Sequence, residues 1–278
     1  MPERLRLGLV ALLLSSAGLA APNTGSAQSL RIDVVYDNVP GAPGFVTGWG
    51  FSCLIRGLRE TILFDTGADG ETLLSNLRRL GVAPEDIDVV VLSHAHRDHT
   101  GGLRALLSRH GDKTLYLLSS FPESLKRMAR SRGARVVTVE GPRQLVPGAH
   151  TTGPMGARPQ EQALVLSAAA GPVVVTGCAH PGIERILARV TELHAGRVAL
   201  LIGGLHLLRA DAARLQRVIA ALRAARVQRL APSHCTGDAA IGRLKAALGE
   251  RVVAGGCGVH FELPLSAPRP EGGPPPLR

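Results

Sequence analysis

The sequence predicts a layered α/β sandwich, and three observations predict it. Short β-rich runs lead the chain, a strand-then-helix alternation fills its second half, and several apolar runs are too uniformly hydrophobic for strands with one wet face. Hydrophobic residues make up 45% of the 278 and aromatics only 3%, so the core must be built from Leu, Val, Ile and Ala. That length fits one large domain, and the apolar share excludes a disordered chain.

Residues 32–36, 51–56 and 61–64 are β-rich and separated by Gly/Pro turns, which predicts three successive strands. Leu73, Leu74, Leu77 and Leu80 then fall at helical spacing, with Gly81 placed to close the helix. The run 89–92 (VVVL) predicts a central strand covered on both faces. Residues 100–107 resume helically, 115–118 and 136–139 read as strands, and Pro122 opens a helix over 122–132. Strands at 172–176, 198–202, 228–231 and 251–253 then alternate with helices at 183–193, 211–225 and 237–248. The domain is expected to span 28–265, followed by a Pro/Gly-rich tail, 266–278, expected to be disordered.

Residues 1–27 have the order of a secretory signal: Arg4 and Arg6, an apolar stretch over 7–14, then the small residues Gly25, Ser26 and Ala27. The apolar stretch is shorter than the roughly 20 residues a bilayer span needs, which favours a cleaved leader over an anchor and predicts a periplasmic or secreted protein. The net charge is +10, and losing Glu3, Arg4 and Arg6 leaves +9. Its basic residues are scattered, without the compact Lys/Arg run and interleaved aromatics of a nucleic-acid face. The expected partner is a small molecule, with an attraction for anionic or phosphorylated ones.

The four cysteines, Cys53, Cys178, Cys235 and Cys257, have no CxxC spacing, which excludes a zinc ribbon and a thioredoxin-like motif. An oxidising compartment permits disulfides, but spacing alone does not pair the thiols. Cys53 lies inside an apolar run and reads as a small buried hydrophobe.

Chemistry concentrates where the run 89–92 ends. His94, His96, Asp98 and His99 place three imidazoles and a carboxylate within six residues, the ligand types that zinc and similar ions favour. Ligands this close together cannot all surround one tetrahedral ion. Two adjacent metals, one at His94 and His96 and another at Asp98 and His99, fit the spacing better.

The segment 93–102 (SHAHRDHTGG) resembles the HxHxDH signature of the metallo-β-lactamase superfamily. Asp65, in the 63–67 segment (LFDTG), resembles the aspartate of that superfamily's first motif, a structural partner near the metal loop. The resemblance extends over about 32–262. It implies a four-layer αββα sandwich with two divalent ions at one edge, most simply Zn²⁺, and hydrolysis of a carbonyl or phosphoryl centre by a water activated there. Asp98 would both ligate a metal and orient or deprotonate that water.

Further ligands are expected at later strand ends. His234, in the 232–237 segment (PSHCTG), resembles the last ligand motif of the superfamily. No histidine of the usual third motif stands around 151–153, and His180 is placed to replace it. Related members carry a bridging aspartate where this chain has Cys178, which leaves Cys178 either as a metal ligand or as a packed small residue beside the metals. His206 reads as a pocket-lining, substrate-binding residue or a ligand. His150 reads as a solvent-facing loop residue, and His110, His194 and His260 as surface or structural.

Together with 36–38 (YDN) and 50–52 (GFS), the segments 176–182 (TGCAHPG), 203–207 (GGLHL) and 232–237 resemble the branch named for 7,8-dihydropterin-6-methyl-4-(β-D-ribofuranosyl)-aminobenzene-5′-phosphate synthase. The branch implies a transferase as an alternative to the hydrolase. The cysteine at 178 motivates a third reading, a metal-binding or ligand-sensing module without turnover. The later motifs diverge from the β-lactamases proper, and no GxSxG elbow offers a serine nucleophile.

Overall fold

The computed structural model describes residues 29–265. The predicted leader at 1–27 and tail at 266–278 lie outside the described residues. The first half of the chain forms β1 (Ser29–Asp37), β2 (Phe51–Arg56), β3 (Ile62–Phe64), α1 (Gly70–Arg79), β4 (Val89–Val91), α2 (Arg97–Thr100), α3 (Leu103–Arg109), β5 (Thr114–Leu118), α4 (Glu123–Arg130) and β6 (Arg135–Val139). The second forms β7 (Arg143–Val146), β8 (Ala149–Thr151), β9 (Leu164–Leu166), β10 (Val173–Thr176), α5 (Ile183–Leu193), β11 (Leu200–Gly204), α6 (Ala212–Ala224), β12 (Arg229–Ser233), α7 (Asp238–Leu248) and β13 (His260–Pro264).

Two sheets result, a seven-stranded one in the order β13-β1-β2-β3-β4-β5-β6 and a six-stranded one in the order β12-β11-β10-β9-β8-β7. Strands joined through helices run parallel, from β3 to β6 and from β10 to β12, and hairpin-connected strands run antiparallel. The period of two along each strand decides which core a side chain enters. Val173 and Val175 of β10 and Leu200 and Ile202 of β11 join the core between the sheets. Val174 and Leu201 point the other way, into a second core with Ile183, Ile186 and Leu187 of α5 and Leu215 and Leu222 of α6. Burial on both faces is why these strands read as continuous apolar runs. Helices α1 and α3 bury Leu73, Leu77, Leu103 and Leu106 against the first sheet, in an apolar cluster continuous with the core between the sheets. The αββα layering expected from the sequence is the observed architecture.

Local differences have local causes. The helix expected over 100–107 breaks into α2 and α3 because the amides of Gly101 and Gly102 donate to the Gly67 carbonyl, at 2.9 and 3.3 Å. The strand expected at 251–253 is absent: a 3-10 turn occupies Gly249–Arg251, and Val252 makes one isolated bridge to Leu230. Gly249, at φ 61°, turns the chain too sharply for a ladder to start. Strands β7, β8, β9 and β13 lay outside the expected elements. The first three are three or four residues long, and β13 is an edge strand that buries only Phe261 and Leu263. His150 sits in β8, half-buried with its ring 5.2 Å from that of His194, rather than in a solvent-facing loop. Cys53 is buried in β2, and all four cysteines are free thiols. No helix among the described residues is long and apolar enough to cross a membrane.

The 38–50 segment carries no strand, and the buried side chain of Asn76 secures it to α1. Its amide donates to the carbonyls of Val35 at 2.9 Å and Val46 at 2.8 Å, and its oxygen accepts from the Val46 amide at 2.9 Å. An Asn76→Ala variant leaves these buried backbone groups unpaired. It is expected to lose about 1–3 kcal/mol of stability, read from the midpoint of urea unfolding at unchanged slope.

Candidate metal centre

Strand β4 ends inside the molecule and delivers Ser93 and His94 into the space between the carboxyl ends of both sheets' parallel strands. The first determinant there is Asp65, fully buried just after β3 and held at φ 56°. Its Oδ1 accepts from the Ser93 amide at 2.7 Å, and its Oδ2 accepts from Ser93 Oγ at 2.6 Å and His99 Nδ1 at 2.7 Å. With its own proton committed to Asp65, Ser93 Oγ accepts from His94 Nδ1 at 2.9 Å. On the far side, His234 Nδ1 donates to Asn38 Oδ1 at 2.9 Å. The network therefore assigns the protons of His94, His99 and His234 to Nδ1 and leaves a lone pair on each Nε2.

Those lone pairs converge. The donor atoms of His94, His96 and His180 lie within 4.8 Å of one another, and so do those of Asp98, His99, Cys178 and His234. His94 Nε2 is 3.1 Å from His96 Nδ1, and Asp98 Oδ2 is 3.6 Å from His99 Nε2 and 3.4 Å from His234 Nε2. Cys178 Sγ is 3.2 Å from His99 Nε2. The Nε2 atoms of His180 and His234 are buried without a hydrogen-bond partner. The His234 Nε2 lone pair and the Asp98 carboxylate, facing one another with the imidazole proton turned away to Asn38, repel unless a cation lies between them. The donor set, imidazoles with one carboxylate and one thiol, suits a divalent ion of the zinc type.

The electrostatics of His94 and His180 point the same way, whereas at His99 burial acts to lower the pKa but the Asp65 carboxylate outweighs it and raises it. Burial and the neighbouring imidazoles hold His94 far below the ordinary histidine range and His180 at about 3, so both stay neutral and able to ligate. For Asp98, burial acts to raise the pKa, but the nearby His234 and His99 outweigh that and hold it below the usual carboxylate range.

The loop after β10 is set by a carboxylate with no sequence signature. Glu161 is 1% exposed and accepts three backbone amides, from Cys178 and Ala179 at 2.9 Å each on Oε1 and from His180 at 2.8 Å on Oε2. This clamp holds Ala179 at φ 58° and aims Cys178 and His180 into different donor sets. Gly177 just before it permits the close approach: a Cβ there would lie 2.3 Å from Ser93 Oγ.

All seven residues proposed as ligands from sequence, His94, His96, Asp98, His99, Cys178, His180 and His234, fall in these two sets. His206 is in neither. It stands beside the second set, with its donor atom within 4.8 Å of those of Cys178 and Cys235. Three participants escaped sequence reasoning. Glu161 lies in a stretch without a motif, Asn38 was legible only as part of the 36–38 segment, and Cys235 was known only as the neighbour of His234 in the chain.

Comparison with known proteins gives a consistent picture. A family model of the metallo-β-lactamase superfamily matches residues 50–234. A 7,8-dihydropterin-6-methyl-4-(β-D-ribofuranosyl)-aminobenzene-5′-phosphate synthase of Methanocaldococcus jannaschii is 27% identical over 265 residues, covering 77% of this chain and 90% of that protein. A solved metal-dependent hydrolase of the β-lactamase superfamily is 27% identical, with a TM-score of 0.74 over 84% of this chain and 99% of its own. A diphosphatase of the PhnP family shares the fold at 16% identity, with a TM-score of 0.59 over 86% of this chain and 99% of its own.

Asp65→Asn keeps the shape but replaces one acceptor oxygen by a donor that opposes Ser93 or His99. Its affinity for zinc, measured by competition with a chromophoric chelator, is expected to fall about 10- to 100-fold, with secondary structure unchanged by circular dichroism.

Proposed function

The chain belongs to the metallo-β-lactamase superfamily, and from that membership we propose that it is a metal-dependent hydrolase of small anionic substrates, with a phosphoryl centre favoured over an acyl one. The carrying observation is the pair of converging donor sets, His94/His96/His180 and Asp98/His99/Cys178/His234. Two divalent ions held there, zinc on donor chemistry, would polarise the scissile group and lower the pKa of a water toward neutrality.

The chain's own residues do the rest. Asp98 Oδ2 sits between His99 and His234 and stays ionised, so it accepts a hydrogen bond from the attacking water and orients it more than it removes its proton. A cavity of about 290 Å³ opens beside the second donor set, lined by Trp49, His206, Leu208, Arg209, Arg214 and Cys235. Neither guanidinium has an ion-pair partner among the described residues. Two unpaired guanidiniums on one wall suit the oxygens of a phosphoryl group. Trp49 and Leu208 are exposed at 51% and 59%, which suits a flat or apolar substrate body stacked against them.

The test is a panel of phosphomonoester, phosphodiester, lactone, thioester and β-lactam substrates offered to zinc-loaded protein. Turnover is expected on a phosphoryl substrate. His96→Ala should lower bound zinc and reduce kcat/KM at least about 100-fold. A metal-free native protein, or a His96→Ala variant unchanged in both metal and rate, would sink the proposal. Arg214→Ala should raise KM for the anionic substrate about tenfold, the loss of one charge-assisted hydrogen bond, while leaving kcat within about a factor of two. Equal effects on a neutral substrate would remove Arg214 from recognition.

The likeness to the archaeal synthase, across 77% of this chain, supports a second reading as a transferase that joins a dihydropterin to a ribofuranosyl-aminobenzene phosphate. Product formation from those two substrates, with no turnover in the hydrolase panel, would select it. Export is proposed from the order of charged, apolar and small residues in 1–27. A mature N-terminus near residue 28 in the periplasmic fraction is the expected result, and an intact Met1 in the cytosol the contrary one.

A further inference from the structure

The carboxyl ends of β10, β11 and β12 bring together a third donor group. Cys178 follows β10, His206 follows β11 and Cys235 follows β12, and their Sγ, imidazole nitrogen and Sγ atoms lie within 4.8 Å of one another. Both thiols are buried, at 3% and 5% exposure. The two donor sets of the proposed hydrolase use Cys178 but neither His206 nor Cys235.

Several independent features hold this triad in place. Ala179, His206 and His234 all occupy the left-handed region, at φ 58°, 52° and 53°, a conformation costly for non-glycine residues unless the surroundings enforce it. Two hydrogen bonds join the loops after β11 and β12, from the Leu205 amide to Thr236 Oγ1 at 3.1 Å and from the Leu208 amide to the Cys235 carbonyl at 3.2 Å. Gly204 leaves the space that the thiols fill, since a Cβ there would stand 2.6 Å from Cys235 Sγ and 3.1 Å from Cys178 Cα. His206 and Cys235 also line the 290 Å³ cavity, so the fourth side of the triad opens to solvent.

We propose that Cys178, His206 and Cys235 form a third metal seat, selective for a thiophilic divalent ion, in which Cys178 is shared with the neighbouring second set. Two thiolates and one neutral imidazole balance the charge of a divalent ion, and three protein ligands with one open position are the arrangement of a reactive rather than a purely structural zinc site. Binding releases the two thiol protons to solvent and involves no change of oxidation state. The ion would face the same cavity as Arg209 and Arg214, which places it against a substrate's anionic group.

The experiment is a Co²⁺ titration of the reduced, metal-stripped full chain, read by bound metal per protein and by thiolate-to-cobalt charge-transfer absorption. Wild type is expected to bind three equivalents. Cys235→Ser is expected to bind two and to lose most of the charge-transfer intensity, because with Cys178 shared only one of three sulfur–cobalt bonds remains. His206→Ala, at the accessible rim, is the second variant should the serine variant fail to fold. It is expected to weaken one of the three equivalents at least tenfold and leave the other two unchanged. Two equivalents in wild type, with the same absorption in Cys235→Ser or unchanged binding in His206→Ala, overturn the proposal. A single equivalent whose charge-transfer band vanishes in Cys235→Ser would uphold this seat while removing the two-metal reading of the histidine sets.

Discussion

Everything at the centre depends on the buried carboxylate of Asp65. Three hydrogen bonds to Ser93 and His99 fix where the metal loop runs and where two imidazole protons reside. Moving those protons to Nδ1 turns Nε2 of His94 and His99 into donors of electron pairs, and an ion requires that of a ligand. The cost of burying the carboxylate is offset because each of its oxygens is satisfied and one faces an imidazole. Its left-handed backbone at φ 56° is held in the same way, by the Asp65 amide on the Val91 carbonyl and the Thr66 amide on the His99 carbonyl.

Glu161 performs the matching task on the other sheet. One carboxylate gathers three consecutive amides and bends the chain so that Cys178 and His180, two residues apart, serve different donor sets. The two sheets thus contribute unequally. The first supplies the dense run from His94 to His99, fixed by Asp65. The second supplies isolated donors at the ends of three parallel strands, each brought in by its own turn. Ligands of an α/β protein commonly gather at the carboxyl ends of parallel strands, and both sheets obey that rule here.

The wall of the cavity belongs to another layer of control. Trp49 comes from the strandless segment secured by Asn76, and Arg214 from the first turn of α6, whose amide is capped by Asp211 at 2.7 Å. That segment also reaches the donor set, because its Asn38 holds His234 and its Trp49 ring lies 5.0 Å from the His234 ring.

The layered fold was legible in the sequence, because burial on both faces leaves uniform apolar runs such as 89–92, and so were the candidate ligands, because HxHxDH is dense enough to be read without a structure. The sequence also showed Cys178 in the place of an expected aspartate. The grouping of those donors was not legible there and follows from packing. That His180 joins His94 and His96, while Cys178 joins Asp98 and His234, depends on the Glu161 turn, which no local pattern announces. The meeting of Cys178, His206 and Cys235, spread over 58 positions of the sequence, is set by the parallel register of β10, β11 and β12. Such proximity comes from strand pairing and from the room left at Gly204, and both are properties of the packed chain rather than of any segment of it.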